Sequence, residues 1–132
     1  MMKFATLLAG VALAMTGATA AHAGKLADRG EAKLARMLDG RVAGEPVKCI
    51  NGLRNNRIQV IEEVGLVYDA GDTIYVSRPT DPKALGRTDV VVTDQFGSQL
   101  CTHDVRRTVD RYQGYVTGPI FLQDFVPYTK RG

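Results

Sequence analysis

Apolar and polar positions along this chain change their spacing three times. Residues 4–15 form an apolar run without a charge, residues 25–39 place apolar side chains at helical intervals, and from residue 46 onward short apolar runs alternate with polar ones. The middle stretch predicts a helix. Leu34, Met37 and Leu38 share one face, Asp28 and Glu31 have the spacing of a capping box, and Gly40 stands where a left-handed stop is cheap. Some three turns of helix are marginal in isolation, so the apolar face must rest on the remainder of the domain or on a partner, core packing being the expectation.

Beyond Gly44 and Pro46 the period becomes two. Residues 47–50 read as an extended segment, followed by the turn formers Asn51-Gly52 and Asn55-Asn56. Residues 57–61 alternate, with Ile58 and Val60 on one side and Arg57 and Gln59 on the other. Gly65 marks a bend or bulge before Leu66-Val67-Tyr68. Asp69-Ala70-Gly71-Asp72 separates that strand from residues 73–78, the clearest hairpin in the chain. Residues 79–86, with two prolines, predict a surface loop. Residues 89–93 are β by composition, and residues 95–98 turn the chain into a strand at 99–105. The polar stretch 106–114 predicts a short helical turn or loop, and residues 119–126, apolar on both faces, the last strand. One helix followed by six or seven short strands makes the chain mainly β (α+β): an antiparallel meander curled as a small barrel or sandwich.

The N-terminus sets the compartment. Met1, Met2 and Lys3 precede the apolar run, and Ala21-His22-Ala23 supplies a small-x-small cleavage site, the pattern of a secretory signal peptide over residues 1–23. The run is shorter than the roughly 20 apolar residues a membrane span requires, so no stable span is expected after cleavage. The remainder, residues 24–132, is enough for one globular domain: helix and linker over 24–45, β domain over 46–132. Export predicts a periplasmic or secreted location, where thiols oxidise. Cys49 and Cys101 are the only cysteines, and an intramolecular disulfide between them is the expectation, with free thiols or an interchain bridge as the alternatives. Closing about fifty residues would contribute about 4 kcal/mol on the chain-entropy estimate.

Charge and chemistry add less. The formal net charge of +3 is spread along the chain and falls further with the loss of Lys3, which argues against nucleic acid, whose binders carry clustered basic faces. His103 is the only histidine after export. No second imidazole or cysteine pair exists to make a zinc or haem site with it, so composition excludes a three-His or Cys-rich centre and no metal or cofactor is expected. On a strand, His103 would share a face with Cys101 while Asp104 points away, so the dipeptide forms no catalytic dyad. The carboxylate pairs Glu62-Glu63 and Asp69/Asp72 read as solvated charges, and the chain has no nucleophile elbow and no phosphate-binding glycine motif. No catalytic residue is expected. The most distinctive cluster is Arg106, Arg107 and Arg111 with Tyr112, a candidate binding group for phosphates, sugars or a protein.

Residues 40–50 (GRVAGEPVKCI), Leu100-Cys101 with Asp104, and the closing Asp124-Phe125-Val126-Pro127-Tyr128 resemble a group of small, functionally uncharacterised secreted proteins of alphaproteobacteria. The resemblance covers most of residues 24–132. It implies export and a shared fold, and it carries no active site. The expected function is that of a non-enzymatic module binding an envelope protein or other macromolecule. An envelope-associated module gripping anionic lipid or polysaccharide through the arginines is the alternative, and a small hydrolase using His103 the second alternative.

Overall fold

Helix α1, Lys25–Met37, forms where the apolar spacing places it, but it opens differently. In the computed structural model, which describes residues 24–54, 57–86 and 89–131, Gly24 is the N-cap and makes no side-chain cap. The amide of Asp28 donates to the Gly24 carbonyl, so Asp28 lies inside the first turn and there is no capping box with Glu31. Its carboxylate still suits the positive end of the helix. Glu31 instead takes both arms of Arg78, an ion pair about half exposed and therefore worth little. The helix stops as expected, with Gly40 at φ +78°. The expected signal peptide, 1–23, and the expected turn at Asn55-Asn56 lie outside the described residues.

Ten short strands follow among the described residues: β1 Arg41–Ala43, β2 Cys49–Asn51, β3 Ile58–Ile61, β4 Gly65–Asp69, β5 Thr73–Ser77, β6 Asp89–Thr93, β7 Gln99–Cys101, β8 Arg106–Asp110, β9 Val116–Pro119 and β10 Val126–Lys130. They form three antiparallel sheets, ordered β1-β10-β5-β4-β3, β2-β7 and β6-β8-β9. No sheet closes on itself, and the arrangement is a sandwich rather than a barrel.

The centre is β4, buried on both faces. Leu66 and Tyr68 point into one core with Ile50, Leu85, Leu100, Ile120, Leu122 and Phe125. Val67 points into the other, with Leu34, Ile61, Val64, Ile74 and Val76. The five-stranded sheet thus has α1 on one side and residues of the smaller sheets and of the irregular segments on the other. The two largest fully buried rings, Tyr68 and Phe125, meet edge to face with centroids 5.5 Å apart.

Hairpin β4–β5 is as the sequence predicts, with Gly71 at φ +94° and its amide held by the Asp69 carboxylate at 2.8 Å. Other expectations are corrected. Gly65 is neither bend nor bulge. It pairs with Ile61 inside the β3–β4 ladder, and its missing side chain admits the Ser77 carbonyl, which a Cβ would meet at 2.9 Å. The turn falls at residues 62–64, where Glu63 takes φ 59°. The surface loop at 79–86 contains a short 3-10 turn, Pro82–Ala84, followed by the fully buried Leu85. Strand β7 ends at Cys101 instead of continuing to 105 and pairs with β2 rather than β6. The polar stretch from 106 is strand β8. The segment expected as the last strand, 119–126, holds only the end of β9 and the first residue of β10; between them runs an irregular stretch tied to its neighbours by the bridges Val47↔Phe125 and Pro79↔Leu122 and by single hydrogen bonds such as Ile120 to Arg106 and Gln123 to Arg78. The true last strand, β10, inserts between β1 and β5.

The cystine forms. Cys49 and Cys101 are direct cross-strand partners of β2 and β7, with Cα atoms 4.0 Å apart. It therefore ties the second strand to the seventh.

Candidate functional site: an apolar sheet face and a cystine corner

The arginine cluster is divided by strand periodicity. Arg106 opens β8 pointing inward and is 3% exposed; its Nη1 donates to the carbonyls of Thr102 and Asp104, both at 3.3 Å. Its Nε and Nη2 have no hydrogen-bond partner among the described residues. The Tyr68 hydroxyl lies beside this guanidinium. Burial pushes the phenol above its ordinary range, and the neighbouring positive charge only partly opposes that. Arg107, one residue on, points outward and pairs with Asp94 at 3.2 Å. Arg111 sits in the turn after β8 and lines a groove of about 450 Å³ between the free edges of β3 and β6, together with Ile58, Val60, Asp89 and Val90. Tyr112 is exposed in the same turn, its amide held by Asp110. The four candidate residues do not share a face.

The register of the three-stranded sheet reveals a different surface. Val90, Val109 and Val116 form one outward row, and Val92, Arg107 and Pro119 the next. Pairing continues past the strand ends, because the Asp94 amide donates to the Val105 carbonyl and the Ile120 amide to the Arg106 carbonyl. This puts Asp94, Val105 and Phe121 in a third row. A bulge between Thr108 and Val109 absorbs Thr117, whose hydroxyl meets those of Thr108 at 2.6 Å and the Asp89 carboxylate at 3.1 Å. The inward rows carry Val91, Arg106, Thr108 and Ile120 against the core. The outward rows are mostly apolar and open: Val105 is 64%, Val116 58% and Phe121 68% exposed. The sequence carried part of this signal in the β composition of 89–93, but reading 106–114 as a short helical turn or loop hid the rest.

The cystine corner is the second arrangement. Because β7 stops at Cys101, residues 102–104 turn back on it. The Asp104 amide donates to the Cys101 carbonyl, and the Asp104 carboxylate accepts the Cys101 amide at 2.8 Å. His103, exposed, and Asp104 therefore do not part to opposite faces of a strand. One ligand atom from each of Cys101, His103 and Asp104 falls within 4.8 Å of the others. Thr102 closes the corner, its amide on the Lys48 carbonyl and its hydroxyl on Asp124, which also pairs with Lys48 at 3.5 Å.

No helix among the described residues is long and apolar enough to cross a membrane. No family model matches the chain, and neither a curated protein nor a solved structure does.

Proposed function

We propose that this chain is an exported, non-enzymatic module, periplasmic or secreted, that binds a protein through the outer face of β6-β8-β9. The observation that carries this reading is the open apolar surface of Val105, Val116 and Phe121 on a rigid sheet. Covering these side chains would recover about 1 to 2 kcal/mol each, since all three are already partly shielded. Charge favours a protein over an anionic lipid or polysaccharide. Among the described residues the one arginine on this face, Arg107, is matched by Asp94, so the surface offers both signs within an apolar field. A grip on anions would require Arg106, Arg107 and Arg111 together, and they point in three directions. Asp104 is held by the Cys101 amide, and no described carboxylate hydrogen-bonds His103, which leaves the hydrolase reading without a supporting contact.

The test is site-specific photo-crosslinking from position 121 in the exported protein. The expected result is one discrete protein adduct, lost in Val105→Asp/Val116→Asp and kept in Arg111→Ala. An adduct of twice the chain's mass would identify a second copy as the partner. Crosslinking only to lipid or glycan, or an adduct indifferent to the two aspartates, would overturn the reading. Processing between Ala23 and Gly24 is read from the N-terminal residue of the same material.

A further inference from the structure

We infer that the cystine corner is a redox-gated metal site: with the disulfide reduced, Cys49 and Cys101 join His103 and Asp104 as a four-ligand set for a thiophilic divalent cation such as Zn²⁺. The geometry comes first. Sidewise pairing of β2 and β7 holds the two cysteine Cα atoms 4.0 Å apart, and the turn at 102–104 brings an imidazole nitrogen and a carboxylate oxygen within 4.8 Å of the Cys101 sulfur and of each other. A tetrahedral zinc site with bonds of about 2.0 to 2.3 Å needs ligand atoms about 3.3 to 3.8 Å apart, so bringing Cys101, His103 and Asp104 to that spacing takes movements of about an ångström, while Cys49, which lies outside this group, must turn its sulfur toward them once the bridge opens. His103 is exposed and free to swing, and Asp104 has a second oxygen beyond the one that receives the Cys101 amide.

Charge and ligand softness select the ion. Two thiolates and one carboxylate carry three negative charges, and the buried guanidinium of Arg106 offsets one, leaving two for a divalent cation to neutralise. Arg106 also fixes the loop from behind by donating to the carbonyls of Thr102 and Asp104, the outer-shell support that metal ligands require. Sulfur with imidazole and carboxylate suits zinc over the hard cations, which take oxygen alone.

The gate is a balanced exchange. A protein dithiol attacks the cystine through one thiolate, forms a mixed disulfide, and is released as its own disulfide by its second thiol. Two electrons and two protons pass to Cys49 and Cys101. Zinc then displaces the two thiol protons. In the reverse direction an oxidised dithiol accepts the two electrons, the cystine re-forms and the ion leaves.

Reduced and oxidised samples of the purified chain are titrated with Co²⁺, then with Zn²⁺ in competition. The reduced chain is expected to bind one Co²⁺ with the strong visible absorption of four-coordinate cobalt and a thiolate charge-transfer band, and the oxidised chain to show neither. His103→Ala and Asp104→Asn, each reduced, should lose about tenfold or more in affinity. Far-UV circular dichroism of the reduced, metal-loaded chain should retain the β spectrum of the oxidised one. Absence of cobalt bands after reduction, affinity unchanged in both variants, or binding only by an unfolded chain would each overturn the assignment.

Discussion

Replacing Gly30 by alanine sets two effects of known sign against each other. In an exposed helix interior the change favours folding by about 1 kcal/mol, because glycine has more conformational freedom to lose. Gly30, however, is buried where α1 crosses the turn between β3 and β4. A Cβ there would lie 2.5 Å from a Val64 methyl, 2.9 Å from an Ile61 methyl and 3.3 Å from the Glu62 carbonyl. Ordinary carbon contacts sit at about 3.5 to 4.0 Å, so the helix must back away by about an ångström. Neither neighbour can yield easily: Val64 and Ile61 are 2% and 3% exposed, and β-branched side chains are stiff at χ1. Overpacking of this kind costs about 1 to 3 kcal/mol, which exceeds the propensity gain and leaves a net loss of about 1 kcal/mol. Urea denaturation followed by circular dichroism measures it as a lower midpoint at unchanged slope. Removing the nearest obstruction should shrink the loss. In a Val64→Ala background the same Gly30→Ala change should cost less, the Ile61 methyl at 2.9 Å still being in the way, a coupling of about 1 kcal/mol between the two sites. A Gly30→Ala chain at least as stable as the parent with Val64 present would refute the seating of α1 on that turn.

Two further outcomes follow from the core and the cystine. Replacing both Cys49 and Cys101 by serine should lower stability by up to about 4 kcal/mol, since the bridge closes a separation of 52 residues. Equilibrium denaturation of the variant against the oxidised parent measures the loss, and an unchanged midpoint would contradict a structural role. For Tyr68, burial raises the phenol above its unfolded value of 10.0, so its contribution to stability is fully present below that pH and is lost as pH rises toward and through the folded value. Stability curves taken between about pH 8 and 11 should therefore fall more steeply for the parent than for Tyr68→Phe, and parallel curves would remove the argument.

How much was legible in the sequence depends on where each signal resides. Local patterns were readable. Leu34, Met37 and Leu38 at helical spacing placed α1, Gly40 its stop, and Asp69 to Asp72 the β4–β5 turn. The cystine was readable too, because two cysteines admit only one intramolecular pairing and that pairing formed. Pairing of sequence neighbours held for β4 and β5, but it failed where the partner lies far along the chain, as for β2 with β7 and β10 with β1 and β5. Residues 106–110 look polar because Arg106, Thr108 and Asp110 alternate with Arg107 and Val109, yet β8 is the central strand of its sheet, with Arg106 and Thr108 buried.

The candidate surfaces divide the same way. Period two within each of β6, β8 and β9 is a property of the chain, but which rows face outward was decided by β8 pairing with β9 across a short turn and with β6 across the longer segment that holds β7. The cystine corner turns on a single residue. Had β7 run on past Cys101, His103 and Asp104 would stand on opposite faces; because it ends there, both fold back on the sulfur. The amino-acid order alone determined a helix, short extended segments, their turns and a bridge. Only the packed chain decided strand partners and sidedness, since these depend on contacts between residues far apart in sequence whose affinity for one another no local window contains.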